Sequence, residues 1–342
     1  MTPPRIVLAG GVFSTRVTLE RLLAHGAPVV GVLGLAPPDP EAAPVSGYAR
    51  LDDLCRDAAV PFVEFERINA PEVVAQVRAW APDLLFVVGL SQLVGGELMA
   101  LPGRATVGFH PTALPRGRGR APIAWLILEE GEGAASFFVI DESVDHGPLL
   151  VQERFPIGPE DDAAAVADRI VESMGVALDR WLPRLMAGEW EPAPQDHRAA
   201  SWYGRRTPLD GLIDWGESAE HLERLVRAST QPHPGAFTHR EDRRLRIWNA
   251  TVVDRSISGV LGRVVELDGG LPVVQCGEGH LRLDEVAADD GQPVDLRVGQ
   301  LLGYRLEHEL YALRERMRTL EARLDAMAAE SSGAAEPTGA ER

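Results

Sequence analysis

Residues 5–35 read RIVLAGGVFSTRVTLERLLAHGAPVVGVLGL and predict a strand, a helix and a second strand. The apolar run at 5–8 ends in a glycine pair, which is typical of the turn after a strand. Valine and leucine then recur at helical spacing over residues 15–24, and 29–35 is a second apolar run. A strand, a helix and another strand in this order are the repeating unit of an α/β fold.

The same alternation continues to about residue 190. The sequence predicts further strands at 61–65, 84–88, 105–109 and 135–140, and helices at 49–58, 71–80 and 161–186. These units predict a doubly wound, Rossmann-like parallel sheet in a first domain at residues 1–190, with ligands outside the carboxyl ends of the strands. The glycine pair lacks the G-x-G-x-x-G spacing of a dinucleotide site, which disfavours a dehydrogenase.

The second half of the chain has a different pattern. After a Pro- and Trp-containing linker at 191–206 and a helix at 219–229, the sequence predicts short strands at 235–238, 245–253, 259–267, 273–276 and 280–286. Short strands at this spacing favour a small OB-like β-barrel or a sandwich over residues 207–303.

The C-terminal segment has the most regular periodicity. Apolar residues are spaced alternately by four and three positions, at Leu306, Leu310, Leu313, Met317, Leu320, Leu324 and Met327. This heptad seam predicts a coiled-coil-like helix over 304–330 and a homodimer through it; the alternative is a helix that folds back on its own domain. Residues 331–342 are rich in Ser, Gly, Ala, Pro and Glu and are predicted to be disordered.

Composition excludes several mechanisms. The chain has 342 residues and a formal net charge of −17, and all 34 of its basic residues are arginine. Without lysine there is no Schiff base and no P-loop lysine. The acidic balance disfavours broad binding to nucleic acid or to anionic membranes. Two cysteines are too few for a disulfide framework, and the absence of a signal-like or long apolar segment favours a soluble, cytoplasmic protein.

The candidate chemistry lies in residues 108–150. His110 follows the apolar run at 105–109, and the strand predicted at 135–140 leads into Asp141, Glu142, Asp145 and His146. A histidine and an aspartate at one edge of a sheet form a plausible acid–base pair, although a lone histidine after a strand is often structural. Between them Arg116, Arg118 and Arg120 are either a solvated loop or a site for phosphate or carboxylate.

This segment resembles the folate-dependent formyltransferases, whose hallmark is N-x-H-x-S-L-L-P-x-x-R-G followed by D-x-G-x-D-x-G. The matching positions are His110, Thr112, Leu114, Pro115, Arg118 and Gly119, then Asp141, Val144, Asp145 and Gly147. The start of the chain and the stretches 204–215 and 225–237 are similar to the same family, so the resemblance covers about 300 residues in colinear order.

The resemblance implies transfer of a formyl group from 10-formyltetrahydrofolate to an amine, with residues 1–190 as the catalytic domain. It implies that His110 polarises the formyl oxygen or assists proton transfer and that Asp145 orients His110 and relays the proton. The donor would lie against Val88, Gly89, Leu90, Gln92, Leu93, Val94, Ile140, Asp141 and Val144. The acceptor would meet Pro115, Arg116, Arg118, Gly119 and Arg120. The resemblance implies no metal.

One position departs from the family pattern. The asparagine two residues before the histidine is Gly108 here, and loss of one donor to an oxyanion typically costs about 10²–10³ in rate. Three explanations remain open: another donor such as His146 replaces it, the same transfer runs in a rearranged site, or the protein binds folate or nucleotide without transfer.

Two acceptors are considered. Methionyl-tRNA formyltransferases need a basic docking surface, and the second half of this chain is acidic, with Arg243, Arg244 and Arg246 as its tight cationic cluster. The sequence of residues 108–112 is more similar to formyltransferases that act on nucleotide-linked amino sugars. The same is true of the C-terminal heptads. The favoured acceptor is therefore a small nucleotide-linked amine, which the loop arginines or Arg205 and Arg206 would bind through a diphosphate.

Overall fold

Two large sheets and one two-stranded sheet organise the described chain. The computed structural model describes residues 2–37, 47–304 and 306–333. The strands of the first half are β1 (Ile6–Gly10), β2 (Val29–Leu35), β3 (Phe62–Phe65), β4 (Leu84–Val87), β5 (Ala105–Thr112), β6 (Arg118–Gly119), β7 (Glu132–Val139), β8 (Leu149–Pro156) and β9 (Trp202–Tyr203). The helices there are α1 (Phe13–Ala24), α2 (Asp52–Asp57), α3 (Pro71–Trp80), α4 (Gly96–Met99), α5 (Pro122–Leu128) and α6 (Ala163–Met186).

The first sheet has seven strands in the order β3-β2-β1-β4-β5-β7-β8. The first five are parallel, and β1 and β4 bury every residue because helices cover both faces. Helices α1 and α6 pack on one face, where Trp181 lies 5.8 Å from Phe86 between ring centroids, and α3 and α4 pack on the other. The predicted Rossmann-like, parallel-dominated α/β fold is confirmed.

The sheet is not parallel throughout. Strand β7 runs antiparallel to β5, and β8 runs antiparallel to β7. Strand β8 has no strand-like pattern in the sequence, because polar side chains at Gln152, Glu153 and Arg154 interrupt its apolar run and its residues are mostly half-buried. The doubly wound sheet therefore ends in two antiparallel strands at this edge.

The second sheet is antiparallel and five-stranded, in the order β10-β11-β14-β13-β12. Its strands are β10 (Ala236–Arg240), β11 (Arg243–Val253), β12 (Val264–Asp268), β13 (Leu271–Gln275) and β14 (His280–Ala288), and helix α7 (Ala219–Ser229) packs on it. The strand predicted at 259–267 begins only at Val264, because Gly262 adopts a left-handed backbone with φ of 76°.

The last helix, α8, runs over Leu306–Gly333. It starts two residues after the predicted start and ends three residues after the predicted end, so residues 331–333 are helical rather than disordered. Residues 334–342, predicted to be disordered, lie outside the described residues. Within the described ranges no helix is both long and apolar enough to cross a membrane.

Candidate functional site

His110 lies inside β5, not after it. The strand continues to Thr112 because it gains an antiparallel partner in β7, and His110 stands opposite Ser136. The irregularity of the ladder falls between His110 and Thr112, at Pro111, which has no N–H to donate. The expected position of His110 after the strand is therefore corrected, and its buried side chain belongs to a strand that pairs with β7.

The structure brings Asp145 to this histidine. The Asp145 Oδ2 atom lies 3.4 Å from His110 Nδ1, and the Gly119 backbone N–H donates to the same oxygen over 2.9 Å. Asp145 has a φ of 51°, a left-handed conformation that a residue with a Cβ adopts at a cost. The loop after β7 thus holds Asp145 in a strained backbone that points its carboxylate at His110 and Gly119.

Both ring nitrogens of His110 face oxygen acceptors. The Nε2 atom lies 2.8 Å from the Gly117 carbonyl oxygen, so Nε2–H donates to it, and Nδ1 faces Asp145. A neutral imidazole has one N–H and serves one acceptor, whereas a doubly protonated ring serves both. The ring of the buried His110 therefore lies between two oxygen acceptors, of which the Asp145 carboxylate is partly exposed.

The other predicted groups of the rim do not reach His110. Asp141 instead lies 2.7 Å from His146 Nδ1, and the His146 ring stacks on His197 with centroids 4.0 Å apart. These groups lie apart because β7 runs antiparallel to β5, so that its last residue, Val139, lies opposite Val107. The loop after β7 must therefore fold back to bring Asp145 to His110. Glu142 is exposed and makes no contact with this pair.

The predicted donor loop follows β4. Gln92 ties it down by accepting from the Ile68 backbone N–H over 2.8 Å and donating to the Glu66 carbonyl over 2.7 Å. Val88 is buried, Gly89 has a left-handed φ of 64°, and Leu90, Val94 and Ile140 are half-buried against the core. Leu93 and Val144 are 78% and 51% exposed. Exposed apolar side chains on these two loops offer the kind of surface on which the flat ring of a folate packs.

The three loop arginines do not form one exposed cluster. Arg116 and Arg120 are exposed, but Arg118 is 2% exposed, and its Nη2 donates to Gln195 Oε1 over 2.6 Å and to His197 Nδ1 over 3.0 Å. Burial lowers the pKa of the Arg118 guanidinium, while the charges of Asp145 and Asp141 oppose that shift. The alternative of a solvated loop is therefore wrong for Arg118, and its guanidinium donates to Gln195 and His197 inside the protein.

Sequence reasoning missed the part that the linker plays. Its residues Trp202 and Tyr203 form β9, which pairs in parallel with β6 and so holds Arg118 and Gly119. The Ser201 hydroxyl accepts from the Gly117 N–H over 2.9 Å, and Gln195 Nε2 donates to the carbonyls of Asp145 and Gly147 over 3.0 and 2.7 Å.

Tyr203 stacks on Trp125 of α5 with centroids 5.9 Å apart. Burial and the neighbouring Glu129 raise the pKa of Tyr203 to about 12. Only the aromatic pair at 202–203 in an otherwise polar stretch could have indicated that this linker packs; nothing in the sequence marks Gln195.

Gly108 has no room for a side chain. A Cβ at this position would lie 2.8 Å from Phe138 Cζ and 2.9 Å from Ile140 Cγ1. Its backbone lies between Val87 of β4 and Phe138 of β7, so the ladder surrounds it on both sides. The space that the family's asparagine amide would need is filled by apolar atoms. The described residues also contain no group of three metal-ligating side chains.

The site combines a histidine–aspartate pair, a loop after β4 with an exposed Leu93, and a Rossmann-like sheet followed by an antiparallel domain. Two family models match the chain: Formyl transferase over residues 40–181, and Formyl transferase, C-terminal domain, over residues 206–298. The methionyl-tRNA formyltransferase of Acidithiobacillus ferrooxidans is 36% identical over 289 residues, which are 82% of this chain and 89% of that protein. The chain belongs to the formyltransferase family and is a folate-dependent formyltransferase, with a folate as its donor.

Solved structures have the same fold. WlaRD, a sugar 3N-formyl transferase in the presence of dTDP and 5-N-formyl-THF, has a TM-score of 0.61 at 15% identity, covering 82% of this chain and 98% of that one. The N-formyltransferase from Helicobacter canadensis in complex with folinic acid and dTDP-3-aminofucose has a TM-score of 0.60 at 15% identity, covering 88% of this chain and 100% of that one.

Proposed function

We propose that this enzyme transfers the formyl group of 10-formyltetrahydrofolate to the amine of a small, nucleotide-linked amino sugar. The observation that carries the proposal is the charge around the His110–Asp145 pair. Arg116 and Arg120 are exposed on the loop that supports this pair, and neither forms an ion pair with any residue in the described part of the chain. Two unpaired arginines beside the reacting groups suit the phosphates of a nucleotide.

The chemistry falls to His110 and Asp145. The acceptor nitrogen bonds to the formyl carbon, the bond from that carbon to the folate nitrogen breaks, and the proton lost by the amine moves to that folate nitrogen. His110 donates from Nε2 to the formyl oxygen in place of the Gly117 carbonyl, and Asp145 balances the imidazolium and relays the proton. Gly119 N–H keeps the Asp145 carboxylate aimed at the ring.

The donor binds along the loop after β4, between Leu93 and Val144, with the backbone of 140–141 beside it. This is the role proposed for the set Val88, Gly89, Leu90, Gln92, Leu93, Val94, Ile140, Asp141 and Val144. The acceptor meets Pro115, Arg116, Gly119 and Arg120, while Arg118 supports the loop from inside.

The charge of the second domain disfavours tRNA. Most of its arginines form ion pairs, among them Arg243 with Asp290 at 2.9 Å, Arg246 with Asp289 at 2.5 Å, and Arg282 with Asp284 at 2.6 Å. Binding to a nucleic acid depends on unpaired cations that displace counterions from phosphates. The cluster noted at 243–246 is thus occupied by carboxylates of its own domain.

Methionyl-tRNA is the second candidate acceptor. It is favoured by the 36% identity to a methionyl-tRNA formyltransferase over most of both chains. The two candidates differ in the predicted effect of salt, since a tRNA complex with several phosphate contacts weakens steeply with ionic strength.

The test is a panel of acceptors. The protein is incubated with 10-formyltetrahydrofolate and either nucleotide-linked amino sugars or initiator methionyl-tRNA, and released tetrahydrofolate and formylated product are measured. A formylated amino sugar is the expected product, with His110→Ala as the inactive control. Product on methionyl-tRNA alone would overturn the proposal, and folate binding without any product would support the non-transferring alternative raised by Gly108.

We also propose where the enzyme works, how its second domain closes and how it assembles. The enzyme works in the cytoplasm. The five-stranded sheet of residues 207–303 closes towards an OB-like barrel, with residues 191–206 as the linker. Helix α8 is a coiled-coil element that mediates a homodimer. Size-exclusion chromatography with light scattering measures the mass of the protein in solution and so tests for this dimer.

A further inference from the structure

Helix α8 has an apolar stripe with no cover from its own described chain. The seven heptad residues are between 47% and 72% exposed, and of the side chains described from 306 to 328 only Ala312 and Glu315 are half-buried. Most helices in proteins are stabilised by packing an apolar face. A partner for this stripe must therefore come from outside the described chain.

The flanking charges define what that partner is. With Leu310, Met317 and Leu324 at a positions and Leu306, Leu313, Leu320 and Met327 at d positions, the g positions are Glu309, Arg316 and Arg323. The e positions include Glu307, Arg314 and Glu321. In a parallel pair of helices, each g side chain faces the e side chain five residues further along the other helix.

We propose that α8 pairs in parallel with α8 of a second copy of this chain. In that arrangement Glu309 faces Arg314 and Arg316 faces Glu321, and symmetry repeats each opposite-charge contact twice. The antiparallel register that aligns Leu310 with Met327 pairs Arg314 with Glu321 but also juxtaposes Arg316 and Arg323, each twice, so only the parallel register has opposite charges at both contacts. The charges therefore select the parallel dimer, and the ion pair of Arg318 with Glu315 within the helix lies on the outer face.

A cysteine placed on the apolar stripe distinguishes a parallel from an antiparallel pair of α8 helices. The native thiols, Cys55 and Cys276, are buried, so they are not expected to form cross-links between copies. In a parallel dimer Met327→Cys faces its own copy and forms a covalent dimer under mild oxidation, whereas Ala322→Cys on the outer face does not. Equal and slow cross-linking of the two variants would overturn the proposal.

Charge reversal provides the second measurement. Arg316→Glu sets a second carboxylate against Glu321 in the parallel dimer and raises its dissociation constant by about tenfold, and adding Glu321→Arg restores it. In the antiparallel register Arg316→Glu would tighten the dimer, and that result would contradict the proposal. Neither readout depends on formyl transfer, so failure here is distinct from failure of the proposed reaction.

A second, independent observation concerns the linker. Gln195 is 6% exposed and uses its whole amide: Oε1 accepts from Arg118, and Nε2 donates to the backbone oxygens of Asp145 and Gly147. Asp145 is also the residue with the left-handed φ of 51° beside His110. The amide thus joins a buried cation to the backbone that carries the proposed proton relay.

We infer that Gln195 is a positioning residue for Asp145, an inference that rests on the proposed role of Asp145. Gln195→Glu keeps the shape but replaces the N–H donors by a carboxylate oxygen, which can only accept and faces two carbonyls. The Asp145 backbone then loses its restraint, and the carboxylate no longer stays aimed at His110.

Gln275 offers a matched control in the second domain. Its Oε1 also accepts one hydrogen bond, from Gly259 N–H, and its Nε2 also lies near two backbone carbonyls, those of Cys276 and Gly279. Gln275→Glu therefore imposes the same chemical change away from the site.

The expected result is a kcat for Gln195→Glu at least about tenfold below wild type, a changed pH profile of kcat and a folate KM within about twofold. Gln275→Glu keeps the wild-type kcat and profile. Equal kcat values for the two variants, or a loss that only tracks melting temperature, would overturn the inference. A fully active Asp145→Asn would instead overturn the role of Asp145 itself.

Discussion

The Phe138 ring fills the space beside Gly108: a Cβ at position 108 would lie 2.8 Å from Phe138 Cζ. The two residues stand opposite each other in β5 and β7. The missing asparagine is thus part of a local repacking, in which an apolar ring has replaced a polar amide, and restoring the amide alone does not rebuild the family's site.

Gly108→Asn is expected to destabilise the protein by about 1–3 kcal/mol, because the new side chain overpacks a buried strand. Phe138→Leu removes the atoms that it meets, so the double variant is expected to be more stable than the sum of the two single effects predicts. Urea unfolding of the four proteins measures this coupling. Strictly additive losses would contradict the proposed repacking.

The exposed loop arginines are expected to bind the acceptor rather than to drive the chemistry. Arg116→Ala with Arg120→Ala should raise the KM for a nucleotide-linked amine by about tenfold or more, with kcat largely kept, because charge-assisted hydrogen bonds to phosphate are lost. Arg297→Ala is the control, since Arg297 pairs with Asp295 in the second domain. An unchanged KM in the double variant would place the phosphates elsewhere.

The two thiols are expected to make stability depend on alkaline pH. Burial raises the pKa of Cys55 to about 11 and that of Cys276 to about 12. Unfolded cysteine ionises near its ordinary pKa of about 8.5, so above that pH the unfolded state binds fewer protons and the free energy of unfolding falls as pH rises. Between about pH 9 and pH 12, Cys276→Ala should show a shallower fall than wild type in denaturant titrations. Parallel slopes would contradict this.

Much of the fold follows from the sequence because its signals are local. The apolar runs of β1, β2 and β4 are fully or mostly buried, so their composition alone predicts central parallel strands. Strand β8 lies at the edge and carries polar side chains, so no local pattern marks it. The heptads of α8 predict its helix, whose start differs by two residues and whose end by three.

The site residues that belong to a sequence motif could be predicted. Those that are positioned by tertiary contacts could not. The approach of His110 and Asp145 was expected from the resemblance, whereas the burial of Arg118 against Gln195 and His197 depends on a linker about 80 residues away in sequence. No spacing rule connects such segments. The hydrogen bonds of the buried Gln195 to the backbone of Asp145 and Gly147 can be recognised only in the folded structure.

The Asp145 carboxylate is expected to be essential for turnover but not for folate binding. Asp145→Asn keeps the shape yet cannot balance a charged imidazole, so kcat should fall by about 10²–10⁴. Glu142→Gln is the control in the same loop, because Glu142 is exposed and does not contact His110. Fluorescence titration with a folate checks that binding persists, and equal kcat values for the two variants would contradict the assignment.

The most direct test of the central claim follows the formyl group itself. The enzyme, charged with 10-formyltetrahydrofolate carrying an isotopically labelled formyl carbon, is mixed with the acceptor found in the panel, and wild type is compared with His110→Ala in a single turnover. The label is expected to move to the acceptor amine in wild type and to stay on the folate in His110→Ala, which still binds the donor. Transfer of the label at the wild-type rate without His110 would contradict the proposed role of this histidine.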